Sequence, residues 1–262
     1  MTSDGTGAIS PGPVRFWGER IHYFKEVTST NLLAKDYASR GEGHGSVIQA
    51  EAQTQGLGRR MRKWHSPPGG LWFSLILRPQ SPPKGLALLF SLWIIEFLEA
   101  QFSLGLHLYW PNDIYCEGRK MGGILLEATH NGGAPLWIIA GIGININNSG
   151  AGIPAECGAT SLSSHTGAVH PLRPFLEDLL VHLEWNFETA LKRGFPAFRD
   201  AIEDHCPLLK NMVEIQEIKG ARKVKALGIG DEGQLVIENR SKEREEIWSC
   251  ERVRLLEGPT QP

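Results

Sequence analysis

The chain has 262 residues, 41% of them hydrophobic and 21% charged, which excludes wholesale disorder and leaves room for one large domain or a medium one with a small companion. Lys and Arg total 27 against 29 for Asp and Glu, a net charge of −2, which argues against a protein that binds nucleic acid by bulk charge. The 30 glycines point to many tight turns or to backbone that approaches a ligand closely.

In chain order, residues 1–14 are polar and rich in Gly and Pro and read as a disordered leader; they lack the basic start and apolar core of a signal peptide. Residues 21–27 read as a strand. Ser29 and Thr30 stand at an N-cap position before a helical run at 32–38. Residues 46–52 form a second strand pattern, 53–70 a Gly-, Arg- and Pro-rich loop, and 71–77 a third strand. A helix is predicted over 84–101. Its apolar stretch, 86–98, is broken by Ser91 and Glu96 and is too short to cross a bilayer, so no membrane association is expected. A short strand at 107–110 ends at Pro111. Strands at 120–128 and 136–146 follow, joined by an Asn131-Gly132-Gly133 turn, and then a loop at 148–160. Residues 171–193 carry helical spacing, with Leu176, Leu179, Leu180 and Leu183 on one face, and a second helix spans 196–205. After Pro207 the texture changes to short strand-like runs at 212–218, 222–226, 234–238 and 245–248, the pattern of a small all-β barrel, with a boundary at 207/208. Cys116, Cys157, Cys206 and Cys250 are widely spaced with no CxxC pair, which reads as buried free thiols in a cytoplasmic protein and not as a zinc or disulfide frame.

Four segments carry candidate chemistry. Ser29-Thr30-Asn31 is either a helix cap or, with the same geometry, a set of small polar groups for a neutral ligand head. The run Gln53-Thr54-Gln55-Gly56-Leu57-Gly58-Arg59-Arg60-Met61-Arg62-Lys63-Trp64 places four cations within five residues behind two glycines. As a plain surface loop these cations would repel one another; as an oxyanion site they have a purpose, and Trp64 offers a stacking face for a purine. The spacing is neither a Walker A loop nor a dinucleotide fingerprint. Trp110-Pro111-Asn112-Asp113 is a strand end and polar turn, followed by Lys120 beside Gly122 and Gly123. That lysine is either an exposed side chain or a cation placed where a carboxylate and a phosphate meet. Gly141-Ile142-Gly143-Ile144-Asn145-Ile146-Asn147 alternates glycines in a strand, which leaves space on one face for packing or for a ligand.

Together, and in this order, the four segments resemble the biotin protein ligases. The family's GRGRxxRxW loop corresponds to Gly56–Trp64, its KWPND turn to Tyr109–Asp113, its KxxGIL to Lys120 and Gly123, and its GIGINVN strand to Gly141–Asn147; Ala159-Thr160-Ser161-Leu162 matches a further family segment. The resemblance covers about residues 15–207, with 208–262 fitting the family's small C-terminal domain less specifically. It implies an α+β protein, a mixed β-sheet catalytic domain of the biotin/lipoate ligase type with helices plus an SH3-like all-β C-terminal domain. It also implies ATP-dependent formation of biotinyl-5′-AMP and transfer of biotin to a lysine of a biotin carboxyl carrier protein. The substrates would be biotin and ATP, with Mg²⁺ held through the nucleotide phosphates and by Asp113.

By the same resemblance Ser29, Thr30, Asn31 and Gln53 would line the biotin ureido pocket. Gly56, Gly58, Arg59, Arg60 and Arg62 would form the loop that closes over the adenylate, with Trp64 near the adenine. Lys120, Arg59 and Asp113 would be catalytic, and Asn112, Gly123 and Asn145 would complete the nucleotide site. Leu57 and Tyr109 stand where the family carries basic residues, which puts adenylate retention and rate in question. This keeps a second reading open, a biotin or biotinyl-adenylate binding protein with reduced turnover. A lipoate-type ligase is a third, although none of the four segments contains the cysteine an acyl-thioester transferase needs. Bifunctional members add an N-terminal helix-turn-helix; with only residues 1–14 before the first predicted strand, no DNA partner is expected. Exposed sheet edges leave room for a homodimer.

Overall fold

The computed structural model describes residues 17–131, 134–148, 152–217 and 220–256. The predicted leader and Gly132-Gly133 of the predicted turn lie outside the described residues. In chain order the first part holds β1 (Ile21–Val27), α1 (Thr30–Ser39), β2 (Val47–Gln53), β3 (Leu71–Leu77), α2 (Leu86–Glu99), β4 (Leu106–Tyr109), β5 (Asp113–Cys116), β6 (Arg119–Asn131) and β7 (Ala134–Ile144). Then come α3 (Leu162–Thr166), α4 (Leu172–Arg193) and α5 (Arg199–Asp204), and last β8 (Met212–Glu217), β9 (Gly220–Ile229), β10 (Leu235–Glu238), β11 (Arg244–Ile247) and β12 (Arg252–Leu255).

The first seven strands form one sheet in the order β1-β2-β3-β7-β6-β5-β4, with β1 and β2 parallel and every other neighbour antiparallel. This is the mixed sheet expected. Its two faces are unlike, because strand side chains alternate. Leu71, Phe73, Leu75 and Leu77 of β3 turn to the main core, shared with α2 and α4. Ile76, with Ile48 and Ile139, turns the other way and is capped by Ala34 and Ala38 of α1. Burial on both faces explains why β3 reads as an unbroken apolar run. One residue interrupts it, Ser74, fully buried on the α1 face.

The last five strands form an antiparallel sheet in the order β11-β10-β9-β8-β12. It is not an independent lobe. Val213, Ile215, Val224, Ala226, Leu235 and Ile237 join the same hydrophobic core as the first sheet. The seam between them also carries specific hydrogen bonds: Trp110 Nε1 donates to the Gly233 carbonyl at 2.9 Å, and the Ile229 amide donates to Glu203 Oε1 of α5 at 2.7 Å. Among the described residues no helix is long and apolar enough to cross a membrane.

Four short elements differ from the sequence reading. Residues 112–113 were expected as a turn only, but Asp113 opens β5, a four-residue strand returned to β6 through Glu117 (φ 48°) and Gly118 (φ 74°). The hairpin signal was weak because Glu rarely adopts a left-handed backbone. The predicted helix over 196–205 is a 3₁₀ turn at Phe195–Phe198 followed by α5. The helix α3 and the strand β12 are too short to show a period in sequence. Cys157 is exposed, against the expectation of a buried thiol, while Cys116, Cys206 and Cys250 are buried. Burial pushes the Cys116 and Cys250 thiols up to about 11 and Cys206 up to about 12, so none of these three is a thiolate near neutrality.

The seam generates a prediction. Gly233 has φ 89°, and a Cβ there would sit 2.8 Å from the Gly85 Cα. Gly233→Ala combines left-handed strain with a backbone clash and should cost about 1–3 kcal/mol. Thermal melting should show a lower Tm, and proteolysis should cut first at the junction between the two sheets.

Candidate active site

The helix α1 starts at the edge of the sheet and brings Ser29-Thr30-Asn31 to its glycine-bearing face. The structure decides between the two readings of this segment. Ser29 occupies the N-cap position but makes no side-chain cap bond. The Thr30 amide donates instead to Gln53 Oε1 at 2.8 Å, and Thr30 Oγ1 lies 3.1 Å from the same oxygen. Gln53 Nε2 in turn donates to Ser66 Oγ at 2.8 Å. The helix start is thus organised around a side chain from β2, and the Ser29 hydroxyl is not spent on a cap.

The alternating glycines of β7 make this approach possible. A Cβ on Gly141 would fall 2.1 Å from Asn31 Oδ1, and one on Gly143 would fall 2.7 Å from Trp64 Nε1. Gly123, paired with Gly143 across β6 and β7, would put a Cβ 3.0 Å from Asp113 Oδ1. Asn31, Trp64 and Asp113 therefore lie directly on bare backbone. Trp64 also meets Trp72 edge-on, at 6.4 Å between centroids.

The basic loop is anchored at both ends. Gly56 and Trp64 exchange a backbone bond, the Trp64 amide donating to the Gly56 carbonyl at 2.8 Å, and Leu57 bridges Lys63. Arg60 and Met61 take left-handed backbone, φ 56° and 60°, which is strained for non-glycine residues. Arg59 donates to Asn112 Oδ1 at 3.3 Å and to the Cys250 carbonyl at 3.2 Å, tying loop, turn and C-terminal sheet together. Burial holds the Arg59 guanidinium below its ordinary value, with Asp113 pulling the other way; it remains charged. Arg60 pairs with Glu251 at 3.2 Å.

Lys120 Nζ lies 2.7 Å from Asp113 Oδ2 and 5.1 Å over the Trp64 ring. Its backbone is held by Gly158 and Thr160, and Asn145 Nδ2 donates to the Lys120 carbonyl at 3.4 Å. Asn145 is itself fixed by Asn148 Nδ2, which donates to its Oδ1 at 2.9 Å. Asn112 Nδ2 donates to the Ile124 carbonyl at 2.6 Å.

These groups surround one cavity of about 420 Å³, the size of a small-molecule site. Ser29, Thr30, Asn31, Gln53, Gly58, Arg59, Arg60, Arg62, Trp64, Asn112, Asp113, Lys120, Gly123 and Asn145 all line it. Gly56 is the one predicted site residue that does not. It acts beneath the loop, where a Cβ would meet the Trp64 carbonyl at 2.5 Å and Ser66 Oγ at 2.8 Å. Sequence reasoning missed Glu251, Arg252 and Val253, which reach the cavity from β12 and the residue before it, and Cys157, which comes from the loop before α3. The absence of cysteine from the four segments therefore does not carry over to the site. Tyr109 and Leu57 also line the cavity; Tyr109 packs on Tyr115 with centroids 4.4 Å apart, so an aromatic pair stands where the family carries lysine. Of the described residues lining the cavity, Arg59, Arg60, Arg62, Lys63, Lys120 and Arg252 are basic and Asp113 and Glu251 acidic, leaving the cavity strongly positive.

The fold and the site define an α+β protein with a small-molecule site: a mixed sheet whose bare face lies in a cavity lined by both small polar groups and a cluster of cations. Comparison with known proteins supplies the class, a ligase. The profile of the biotin/lipoate A/B protein ligase family matches residues 22–145. The bifunctional ligase/repressor BirA of Bacillus spizizenii is 32% identical over 246 residues, 89% of this chain and 76% of that protein. The biotin–[acetyl-CoA-carboxylase] ligase of Paracoccus denitrificans is 33% identical, over 66% of this chain and 75% of its own. The biotin protein ligase of Aquifex aeolicus in complex with biotin and ATP superposes with a TM-score of 0.78 at 30% identity, over 90% of this chain and 99% of that one. The chain belongs to the biotin/lipoate protein ligase family.

The glycine face can be tested directly. Gly143→Ala would drive a methyl into Trp64, which rests on the backbone of Gly143 and Gly123 and meets Trp72 edge-on. The protein should stay folded by circular dichroism. Displacing the ring and the lysine above it should lower turnover by about 10²-fold, as misplacement of an ångström does.

Proposed function

We infer that the protein joins biotin to ATP as biotinyl-5′-AMP, with release of pyrophosphate, and then transfers biotin to a lysine of a biotin carboxyl carrier protein. The observation that carries this reading is the single cavity with a neutral hydrogen-bonding end and a cationic end, with Lys120 near their junction. A neutral cyclic urea suits the Ser29-Thr30-Gln53 end, and a triphosphate suits the arginine loop.

In the first half-reaction the biotin carboxylate attacks the α-phosphate and pyrophosphate leaves. Negative groups must be brought together, so cations govern the barrier. Lys120 is placed to bridge carboxylate and phosphate. To do so it exchanges its contact with Asp113 for the substrate anions, while the Trp64 ring keeps it over the glycine trough. Arg59, Arg60 and Arg62 gather the phosphates, and Arg60 leaves Glu251 in the process. The loop carrying them excludes water from the adenylate, a hydrolysable mixed anhydride. In the second half-reaction the neutral carrier lysine attacks the acyl carbon, AMP leaves, and the amine's proton passes to Asp113 or to the departing phosphate. Asn112 and Asn145 hold the nucleotide side of the cavity.

Among the described residues no cluster of three or more metal-ligating side chains exists. The donor set fits a Mg²⁺ ion that arrives on the nucleotide phosphates, with Asp113 as a carboxylate to hold it. Mg²⁺ so bound would neutralise phosphate charge. We further propose a boundary at 207/208, with the C-terminal sheet closing the nucleotide end through Glu251, Arg252 and Val253.

The test is ATP-dependent attachment of labelled biotin to a purified carrier domain, with pyrophosphate release followed in parallel. Lys120→Ala should lower both by roughly 10²–10³-fold, the scale for losing a charge that meets the transition state. Biotin binding with no pyrophosphate release would instead mark a binding protein, with Leu57 and Tyr109 the positions to revert to basic residues. A thioester route would pass through the cavity's exposed thiol, so loss of transfer in Cys157→Ala with adenylation intact would overturn the direct-transfer reading.

A further inference from the structure

Asn31 is 94% buried at the polar end of the cavity, yet both ends of its amide are occupied by protein. Its Nδ2 donates to Glu127 Oε2 on β6 at 2.8 Å, and its Oδ1 accepts from Ser74 Oγ on β3 at 2.6 Å. The other Glu127 oxygen, Oε1, takes Lys35 Nζ at 2.6 Å. Lys35 is one helical turn after Asn31, so one carboxylate straps two positions of α1 to β6. None of these three partners, Lys35, Ser74 and Glu127, lines the cavity.

The chain of contacts has a direction. An ionised carboxylate only accepts, so Glu127 obliges Asn31 to present its NH₂ end there and its oxygen to Ser74. Ser74 has one hydroxyl proton, and Asn31 Oδ1 takes it. Ser74 Oγ, 2.7 Å from Thr30 Oγ1, then has only lone pairs left for Thr30. The Thr30 hydroxyl donates inward, to Gln53 Oε1 at 3.1 Å, and the Thr30 oxygen keeps a lone pair to accept a hydrogen bond from a ligand N–H. Ser29, free of any cap bond, supplies the complementary hydroxyl for a ligand carbonyl.

We propose that Glu127, braced by Lys35 and read through Asn31 and Ser74, is a positioning residue that sets the donor and acceptor polarity of the head-group pocket and so selects a cyclic urea over a sulfur ring of similar size. The proposal rests on the biotin reading above. It goes further by assigning the specificity to a carboxylate that never touches the ligand. Gly141 belongs to the same device, since any side chain there would displace the Asn31 amide.

The experiment measures KM for biotin, KM for ATP and kcat in the full chain, with lipoate as competitor. Glu127→Met removes the acceptor and should raise the biotin KM about 10-fold or more, the scale of a hydrogen bond to a charged group, with kcat and the ATP KM within about twofold. Glu127→Gln can still accept from Asn31 and should recover most of the loss. Ser74→Ala breaks the relay from the other end without touching Glu127, and it carries the test if Glu127→Met does not fold. Both disrupting variants should weaken the preference for biotin over lipoate. A biotin KM unchanged in Glu127→Met or Ser74→Ala, or a fall in kcat and ATP affinity as large as that in biotin affinity, would overturn the proposal. A wild-type protein that attaches no biotin would instead overturn the functional reading itself.

Discussion

The site depends on a patch of sheet that has no side chains. Gly141 and Gly143 of β7 and Gly123 of β6 lie together on one face, and Asn31, Trp64 and Asp113 rest on their backbone. A methyl at any of the three would fall 2.1–3.0 Å from one of those groups. In a packed interior such overlap moves the neighbour, because there is no void to absorb it. The trough thus sets where the helix start, the aromatic ring and the Asp113 carboxylate can be, and these in turn place Lys120.

The second organising feature is charge held against charge before any ligand arrives. Lys120 is paired with Asp113, Arg60 with Glu251, and Arg59 is spread over Asn112 and the C-terminal strand. In a cavity of limited water access, unpaired cations at this density would be costly. Their present partners are a single carboxylate or neutral groups, which polyanionic phosphates can outcompete. The C-terminal sheet is part of this arrangement, and its apolar side chains are continuous with the core beneath the first sheet.

Much of this was legible in the sequence. The alternating glycines at 141 and 143, the crowded cations at 59–63, and Lys120 beside two glycines each violate an ordinary structural preference, and each proved to line the cavity or support it. The long elements were legible for the opposite reason: α2, β3 and α4 bury enough apolar surface to impose a clear period or an unbroken run. Ser74 is a lone polar residue within an apolar strand, a signal of a buried polar contact, whereas Glu127 stands among other polar residues of β6 and carries no such mark. What was illegible was short or distant. The strands β5 and β12 have four residues each, too few for a period. Arg252 and Cys157 sit in segments with no motif of their own, and only chain folding brings them to the cavity.

The sequence by itself determined the mixed α+β character, the order of the elements, the cation-rich loop and the family, because these follow from local periodicity and from residue types at fixed spacing. Tertiary structure alone decided that Ser29 is not a cap, that Gly56 supports the loop instead of the ligand, and that the C-terminal sheet contributes to the cavity. It also decided that a carboxylate on β6 orients an amide on α1. These are pairings between residues 23 to 191 positions apart, and hydrogen-bond polarity between such partners has no imprint on the local pattern of either segment.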